Sequence, residues 1–385
     1  MKMQTANSQS VKINNTQLVL EKMIEIRETT RIELSKLTTL NKATISSIVQ
    51  ELVKRKFVLE TERTIKTAGR SANVIILNKN AGRIFSVELL PKELYAIITN
   101  LYGEILFEIR KPIMNPEFNF YLADLMKTID ELKKNTFDSV YGIIGIGIGV
   151  YGILSKDKKI KFTTFNSWKD IELKKIIEDY SGIKTYVENE ANISALGEKI
   201  SYPDYEHLVS LNIGTGVGMG IIIGNALYTG NDGFAGEFGH TIIVPEGKQC
   251  ICGNKGCLER YIANDAIIER YFELTNETIT METFIKKYKQ GDPFVMQVYN
   301  EFISYMSLAI NNIAQTLNPK AIIISSVIVE NIPESISLIK NGLRSKIMNL
   351  ELLTTSKFKS KTNVLGLTHL LIQDFFNVSN FYPKV

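Results

Sequence analysis

The sequence predicts an α/β fold with a mainly α head. Three observations carry the prediction. The first 80 residues hold short segments with apolar residues at helical spacing, and they carry 14 Lys and Arg against 7 acidic residues, whereas the rest of the chain carries 31 against 34. From residue 83 onward, apolar runs of strand length alternate with amphipathic segments, the pattern of a layered α/β body. All three cysteines and one of the three histidines fall within residues 240–257. At 385 residues, 44% hydrophobic and 22% charged, the chain is long enough for two or three domains with cores of their own. We expect a head over residues 1–78, a first body lobe over 79–200 completed by a C-terminal helix near 365–380, and a second lobe over 201–385 that carries the segment 240–257.

In the head, Leu20, Met23, Ile24 and Arg27 share one helical face, so a first helix is expected over 17–27. Thr30 and Glu33 have the spacing of a capping box, which opens a second helix through Leu37. The third helix is the clearest: Ile45, Ile48, Val49, Leu52 and Val53 form an apolar stripe, and Asn41 is placed to cap its N-terminus. Lys42, Thr44, Ser46, Ser47 and Gln50 fall on or near the opposite face, which is small and polar enough to enter a major groove. Two strands are expected over 57–60 and 73–77, around a basic loop containing Lys66, Gly69 and Arg70. The plan is a winged helix-turn-helix, with Arg70 at the wing tip charged for contact with DNA. A three-helix packing module would share the apolar stripe, but it does not call for the polar face, basic tail and basic wing together.

In the body, strands are expected over 84–89, 94–100, 103–110 and 185–187, a strand and turn over 141–154, and a helix over 170–180. The strand near 141–154 is studded with glycines, which points to close approach by backbone or ligand. Residues 208–224 read as a tight hairpin whose Gly-x-Gly-x-Gly run suits either a phosphate loop or a turn needing positive φ. Residues 261–288 and 293–317 read as mainly helical, and 318–324 as a buried strand. No apolar run approaches the roughly 18–20 residues that span a bilayer, and the N-terminus does not resemble a cleavable leader. Three unevenly placed cysteines do not make a disulfide framework, so a reducing, cytoplasmic location is expected and no membrane partner.

His240, Cys250, Cys252 and Cys257 are the donor set of a closed, structural tetrahedral zinc site, one per chain, with Gly253 and Gly256 bending the backbone between sulfurs. Reduced thiols in an ordinary loop are the alternative. Glu237 and Glu259 flank this segment, and a metal that immobilised it would hold both carboxylates ready to accept hydrogen bonds from sugar hydroxyls.

Glu237-Phe-Gly-His240, followed by Cys250-Ile-Cys-Gly-Asn-Lys-Gly-Cys-Leu-Glu259, resembles the double signature of the ROK family (repressors, open reading frames, sugar kinases). The resemblance implies a two-lobed, actin/hexokinase-like (ribonuclease H-like) sugar-binding body, with zinc on the His and Cys residues. It also implies sugar contacts by Asn166, Glu190, Glu237, His240 and Glu259. The head around Leu40-Asn-Lys-Ala-Thr-Ile-Ser-Ser47 is similar to the DNA-binding domain of ROK repressors, which dedicated ROK kinases lack.

Where family kinases carry Asp-x-Gly-Gly-Thr at the first phosphate loop, this chain has Glu88-Leu-Leu-Pro-Lys92, with no glycine and with one N–H removed by Pro91. The family's catalytic aspartate corresponds to Glu190, whose extra methylene shifts the carboxylate by more than about an ångström, enough to cost ~100-fold in rate. The Gly-Gly pair of the adenosine turn corresponds to Ser325-Ser326, and only the hairpin loop is intact. No catalytic residue and no ATP are therefore expected. The resemblance implies a repressor acting as a homodimer or homotetramer on double-stranded operator DNA, with D-xylose as sugar effector. A ROK-type sugar kinase with an accessory DNA-binding head is the alternative.

Overall fold

A computed structural model of the chain describes residues 8–67, 70–163 and 168–378. The head begins with helix α1 (Ser8–Ile26), followed by strand β1 (Glu28–Thr29), helix α2 (Arg31–Thr38), helix α3 (Lys42–Lys54) and strands β2 (Val58–Thr67) and β3 (Arg70–Leu77). Helix α1 starts nine residues before the expected position, and Thr16 lies inside it, donating its hydroxyl to Lys12 O. Thr30 caps α2 by accepting from Glu33 N at 3.2 Å, while the Glu33 carboxylate turns to the Thr29 hydroxyl. Asn41 Oδ1 accepts from Thr44 N at 2.9 Å and opens α3 as the sequence predicts.

The wing differs from expectation. Strands β2 and β3 pair from Val58 opposite Leu77 to Thr67 opposite Arg70, so Lys66 lies on a strand and only residues 68–69, outside the described residues, separate the two. The β-branched residues Thr61, Thr64, Ile65 and Thr67 favour a pleated backbone over the loop expected there. Strand β1 adds to β3 to complete a three-stranded sheet.

Next come strands β4 (Arg83–Leu89), β5 (Glu93–Thr99) and β6 (Ile105–Pro112), helix α4 (Phe118–Lys134), strands β7 (Ile143–Val150), β8 (Gly152–Leu154) and β9 (Ile160–Thr163), helix α5 (Leu173–Ser181), strand β10 (Thr185–Asn189) and helix α6 (Glu190–Ser201). Helix α5 begins three residues later than predicted because Asp170, at φ 55°, is left-handed and cannot be interior to a helix. The remainder is strands β11 (Leu208–Ile213), β12 (Val217–Ile223) and β13 (Ala226–Leu227), helices α7 (Glu259–Ile262), α8 (Asn264–Thr275), α9 (Met281–Lys289) and α10 (Pro293–Leu317), strand β14 (Ala321–Ser326), helices α11 (Val327–Asn331) and α12 (Ser335–Gly342), strand β15 (Leu352–Thr355) and helix α13 (Thr362–Phe376).

The chain forms two compact units. One comprises residues 1–149, 173–187 and 367–385, so the head and the sheet β10-β7-β4-β5-β6 belong to one body. Its apolar core runs without a break from Val19, Ile45 and Leu52 of the head to Ile84, Leu101 and Leu371. The glycines of β7 serve a close approach: a Cβ at Gly147 would lie 3.0 Å from Leu367 Cβ of α13. The second unit comprises residues 150–172 and 188–366 around the sheet β13-β12-β11-β14-β15. Numbered within itself, each sheet has the order 3-2-1-4-5, with strands one to three antiparallel neighbours in sequence. The duplicated order is that of the ribonuclease H-like lobes of actin and hexokinase. In the second unit β11, β14 and β15 are parallel, and helices α8 and α10 cover them with Ile267, Phe302 and Ile310. Among the described residues, no helix is long and apolar enough to cross a membrane.

Candidate functional site

Two candidate sites emerge, one in each unit. In the head, Ile45, Ile48, Val49 and Leu52 are buried, and the opposite face of α3 leaves Lys42, Ser47 and Gln50 exposed, with Thr44 and Ser46 half-buried. Lys54, Arg55 and Lys56 are exposed at the end of the helix, where positive charge complements its dipole. Arg70 opens β3 opposite Thr67; its side chain lies outside the described residues, as does Gly69. A bidentate Arg31–Glu60 pair, at 2.7 and 3.1 Å, ties α2 to the wing.

In the second unit the site is built on the hairpin of β11 and β12. The glycine run has a role other than positive φ, since none of Gly214, Gly216, Gly218 and Gly220 is left-handed. What it permits is close packing. A Cβ at Gly216 would lie 3.0 Å from Glu259 Oε2, one at Gly218 would lie 2.9 Å from Glu190 Oε1, and one at Gly220 would lie 2.1 Å from Ala191 O. Val217 N donates to Glu259 Oε2 at 3.1 Å, so a carboxylate takes a peptide N–H of the loop that resembles a phosphate cradle.

Glu190 is the first residue of α6, and Asn189 holds it. Asn189 Oδ1 caps the helix by accepting from Ala191 N and Asn192 N, while its Nδ2 donates to Glu190 Oε2 and to Gly152 O, both at 2.8 Å. Lys158 pairs with the buried Glu188 at 2.5 Å, and Glu188 accepts from Asn192 Nδ2 at 3.0 Å. Sequence reasoning passed over Asn189 and Lys158. An Asn directly before a helix was the available signal for the first; Lys158 offered none, because its partner is 30 residues away.

Residues 237–240 lie against β12: Met219 N donates to Gly236 O at 3.0 Å, and a Cβ at Gly239 would lie 2.5 Å from Val217 O. Although solvent reaches Glu237, partial burial of its carboxyl raises its pKa; His240 opposes this and the Glu259 charge adds to it. Glu190, Glu237, His240 and Glu259 thus gather around one hairpin. Asn166 lies outside the described residues. Trp168 is buried, a packing residue.

His240, Cys250, Cys252 and Cys257 place their ligand atoms within 4.8 Å of one another, a group that could hold a metal ion. Cys250 Sγ lies 3.5 Å from His240 Nδ1, and Cys252 Sγ 3.6 Å from Cys257 Sγ. A tetrahedral ion with sulfur at ~2.3 Å and nitrogen at ~2.0–2.1 Å has S···N and S···S edges of about 3.6 and 3.8 Å. Burial, reinforced by the neighbouring sulfurs, pushes the Cys257 thiol up to about 12, and a cation bound here would oppose that shift by favouring the thiolate. Gly256 is left-handed at φ 80°, and a Cβ there would meet Val244 O at 1.7 Å, which closes the knuckle around the sulfurs.

The ROK family model matches residues 85–374. The chain belongs to the ROK family. It is 31% identical to the xylose repressor of Bacillus spizizenii over 383 residues, covering 98% of this chain and 99% of that one. Its fold is similar to that of a ROK family transcriptional regulator described as a homolog of the E. coli MLC protein, with TM-score 0.82, 26% identity and coverage of 95% and 96% of the two chains. A ROK family glucokinase from Streptomyces griseus, crystallised with glucose and AMPPNP, shares the fold at TM-score 0.67 and 23% identity, covering 75% of this chain and 99% of that one. The matched ROK region begins after β3, so α1, α2 and α3 lie outside it.

Proposed function

We propose that the protein is a sugar-responsive DNA-binding repressor, released from an inverted-repeat operator when D-xylose binds the ROK body. The observation that carries this reading is the capped α3, whose buried stripe leaves a small, polar, basic-ended face on a winged head. Lys42, Thr44, Ser46, Ser47 and Gln50 would meet the major groove, and Arg70 the adjacent groove or backbone. Two copies, as a dimer or within a tetramer, would read half-sites about 34 Å apart or a multiple of that.

Glu190, Glu237, His240 and Glu259, with Asn166, would take the sugar hydroxyls. Zinc on His240 and the three cysteines would fix the peptide that carries Glu237 and Glu259, and His240 would ligate through Nδ1, leaving Nε2 for sugar. The relatives named xylose repressors support D-xylose as effector. A non-enzymatic role is supported by Glu259, which takes the Val217 N–H of the glycine hairpin, and by Glu190 in the position of the catalytic aspartate. The sites proposed here need no membrane, which fits a protein of the cytoplasm.

Calorimetric titration with D-xylose, alongside a coupled ATP assay, tests this division of labour. Sugar binding without ATP turnover is the result expected. ATP-dependent phosphorylation of the sugar would put the kinase reading in its place.

A further inference from the structure

The base of the recognition helix is held by the body. Tyr141, in the loop before β7, donates its hydroxyl to Arg55 O at 2.6 Å, and Arg55 is the C-cap of α3. The Tyr141 ring stacks on Phe57 with centroids 4.7 Å apart and planes 10° from parallel. Phe375 and Phe376 of α13 close on Phe57 edge-on at 5.5 and 5.6 Å, and Phe375 also meets Tyr141 at 5.4 Å. The Arg55 guanidinium lies 4.5 Å from the Phe57 ring centroid. A second clamp is Tyr102, between β5 and β6, whose hydroxyl reaches Leu77 O at 3.1 Å and Arg27 O at 3.3 Å. The ends of α1, α3 and β3 are therefore all fastened to the body.

The chain path gives these contacts a further meaning. The backbone passes between the two units at four places, 149–150, 172–173, 187–188 and 366–367. Three of them lie in segments that also build the base of the head. Strand β7 begins two residues after Tyr141; β10 carries Tyr186, which packs in the same cluster, and follows Lys184, which pairs with Asp374 of α13 at 2.8 Å; α13 supplies Phe375 and Phe376.

Within the second unit, the same segments converge on Glu190. The end of β10 is Asn189, which holds Glu190 and donates to Gly152 O just beyond β7. Helix α6, which Glu190 opens, touches the first turns of α13 backbone to backbone: a Cβ at Gly197 would lie 2.2 Å from Thr362 O, and one at Gly366 would lie 1.9 Å from Ile193 O.

We propose that Tyr141 is a positioning residue that couples the occupancy of the sugar site to the setting of the recognition helix, through the aromatic cluster it forms with Phe57 and the end of α13. The inference rests on the repressor reading and adds the route of regulation. The quantity to measure is the coupling factor, the ratio of operator Kd with and without saturating D-xylose.

Tyr141→Phe keeps the stacked ring and removes the bond to Arg55 O; Tyr141→Leu removes both. The coupling factor should fall about threefold in the first and about tenfold in the second, within the range by which such residues modulate coupling. D-xylose affinity measured by calorimetry without DNA, and the melting temperature of Tyr141→Phe, should stay near wild type, which a merely structural role would not produce for a variant that loses sugar response. Should Tyr141→Leu fail to fold, Tyr141→Phe decides alone. A wild-type coupling factor in Tyr141→Phe, and in Tyr141→Leu where it folds, would overturn the proposal. A wild-type protein that binds operator and ignores D-xylose would contradict the functional reading instead.

Discussion

Glu198 offers a quantitative test of how the second unit is built. It lies in α6 with 0% of its surface exposed; Oε1 accepts from the Thr362 hydroxyl at 3.4 Å, and Oε2 has no hydrogen-bond partner among the described residues. Burial raises its pKa from the ordinary 4.5 to about 7; the Ser356 and Thr362 hydroxyls resist, Glu330 adds to the rise and Lys357 opposes it. Because the folded pKa lies above the unfolded one, the fold favours the protonated acid. The associated stability is fully present below about pH 4.5 and is lost as pH rises through 7.

A rise from 4.5 to about 7 corresponds to on the order of 3 kcal/mol, of which about 2 falls between pH 5.5 and 8.5. Glu198→Gln is a permanently neutral isostere that still accepts from Thr362. Urea unfolding followed by the fluorescence of Trp168, the single tryptophan and a buried residue of the same unit, reads the effect there. The variant should gain on wild type by about 2 kcal/mol between pH 5.5 and 8.5 and be the more stable of the two at pH 8.5. Parallel pH profiles would refute the claim that Glu198 is buried at such cost.

Two other predictions concern the hairpin and the metal. Cys257→Ser should abolish binding of stoichiometric zinc, read by elemental analysis, and lose D-xylose affinity with it; sugar affinity retained in a metal-free protein would separate the two sites. Gly220→Ala places a methyl 2.1 Å from Ala191 O, so hairpin and α6 must part; we expect a loss of about 2 kcal/mol or more in the Trp168-monitored unfolding, and an unchanged midpoint would show that the contact is slack.

The parts of the molecule legible in the sequence are those fixed by local chemistry. Asn41, Thr30 and the stripe from Ile45 to Leu52 announced the helices of the head because capping and periodicity act over a few residues. The four metal-binding candidates stood out because their types are scarce elsewhere in the chain. Ambiguity entered where one residue type serves several purposes. The glycines of the β11–β12 hairpin suited a phosphate loop or a left-handed turn, and the structure uses them to admit Glu190 and Glu259. Lys66 was charged enough to read as loop, yet its β-branched neighbours made it strand. Tyr141 and Tyr102 gave no signal, because the partner of the first lies 86 residues away along the chain and those of the second 25 and 75.

In the proposed repressor, one chain joins a DNA-reading head to a sugar-sensing body. Fluorescence anisotropy of the protein on DNA upstream of its own gene, with D-xylose titrated in at fixed salt, tests it most directly. Specific binding that D-xylose reverses is the result the account predicts. Absence of specific binding to any such DNA, together with ATP-dependent phosphorylation of a sugar, would contradict it.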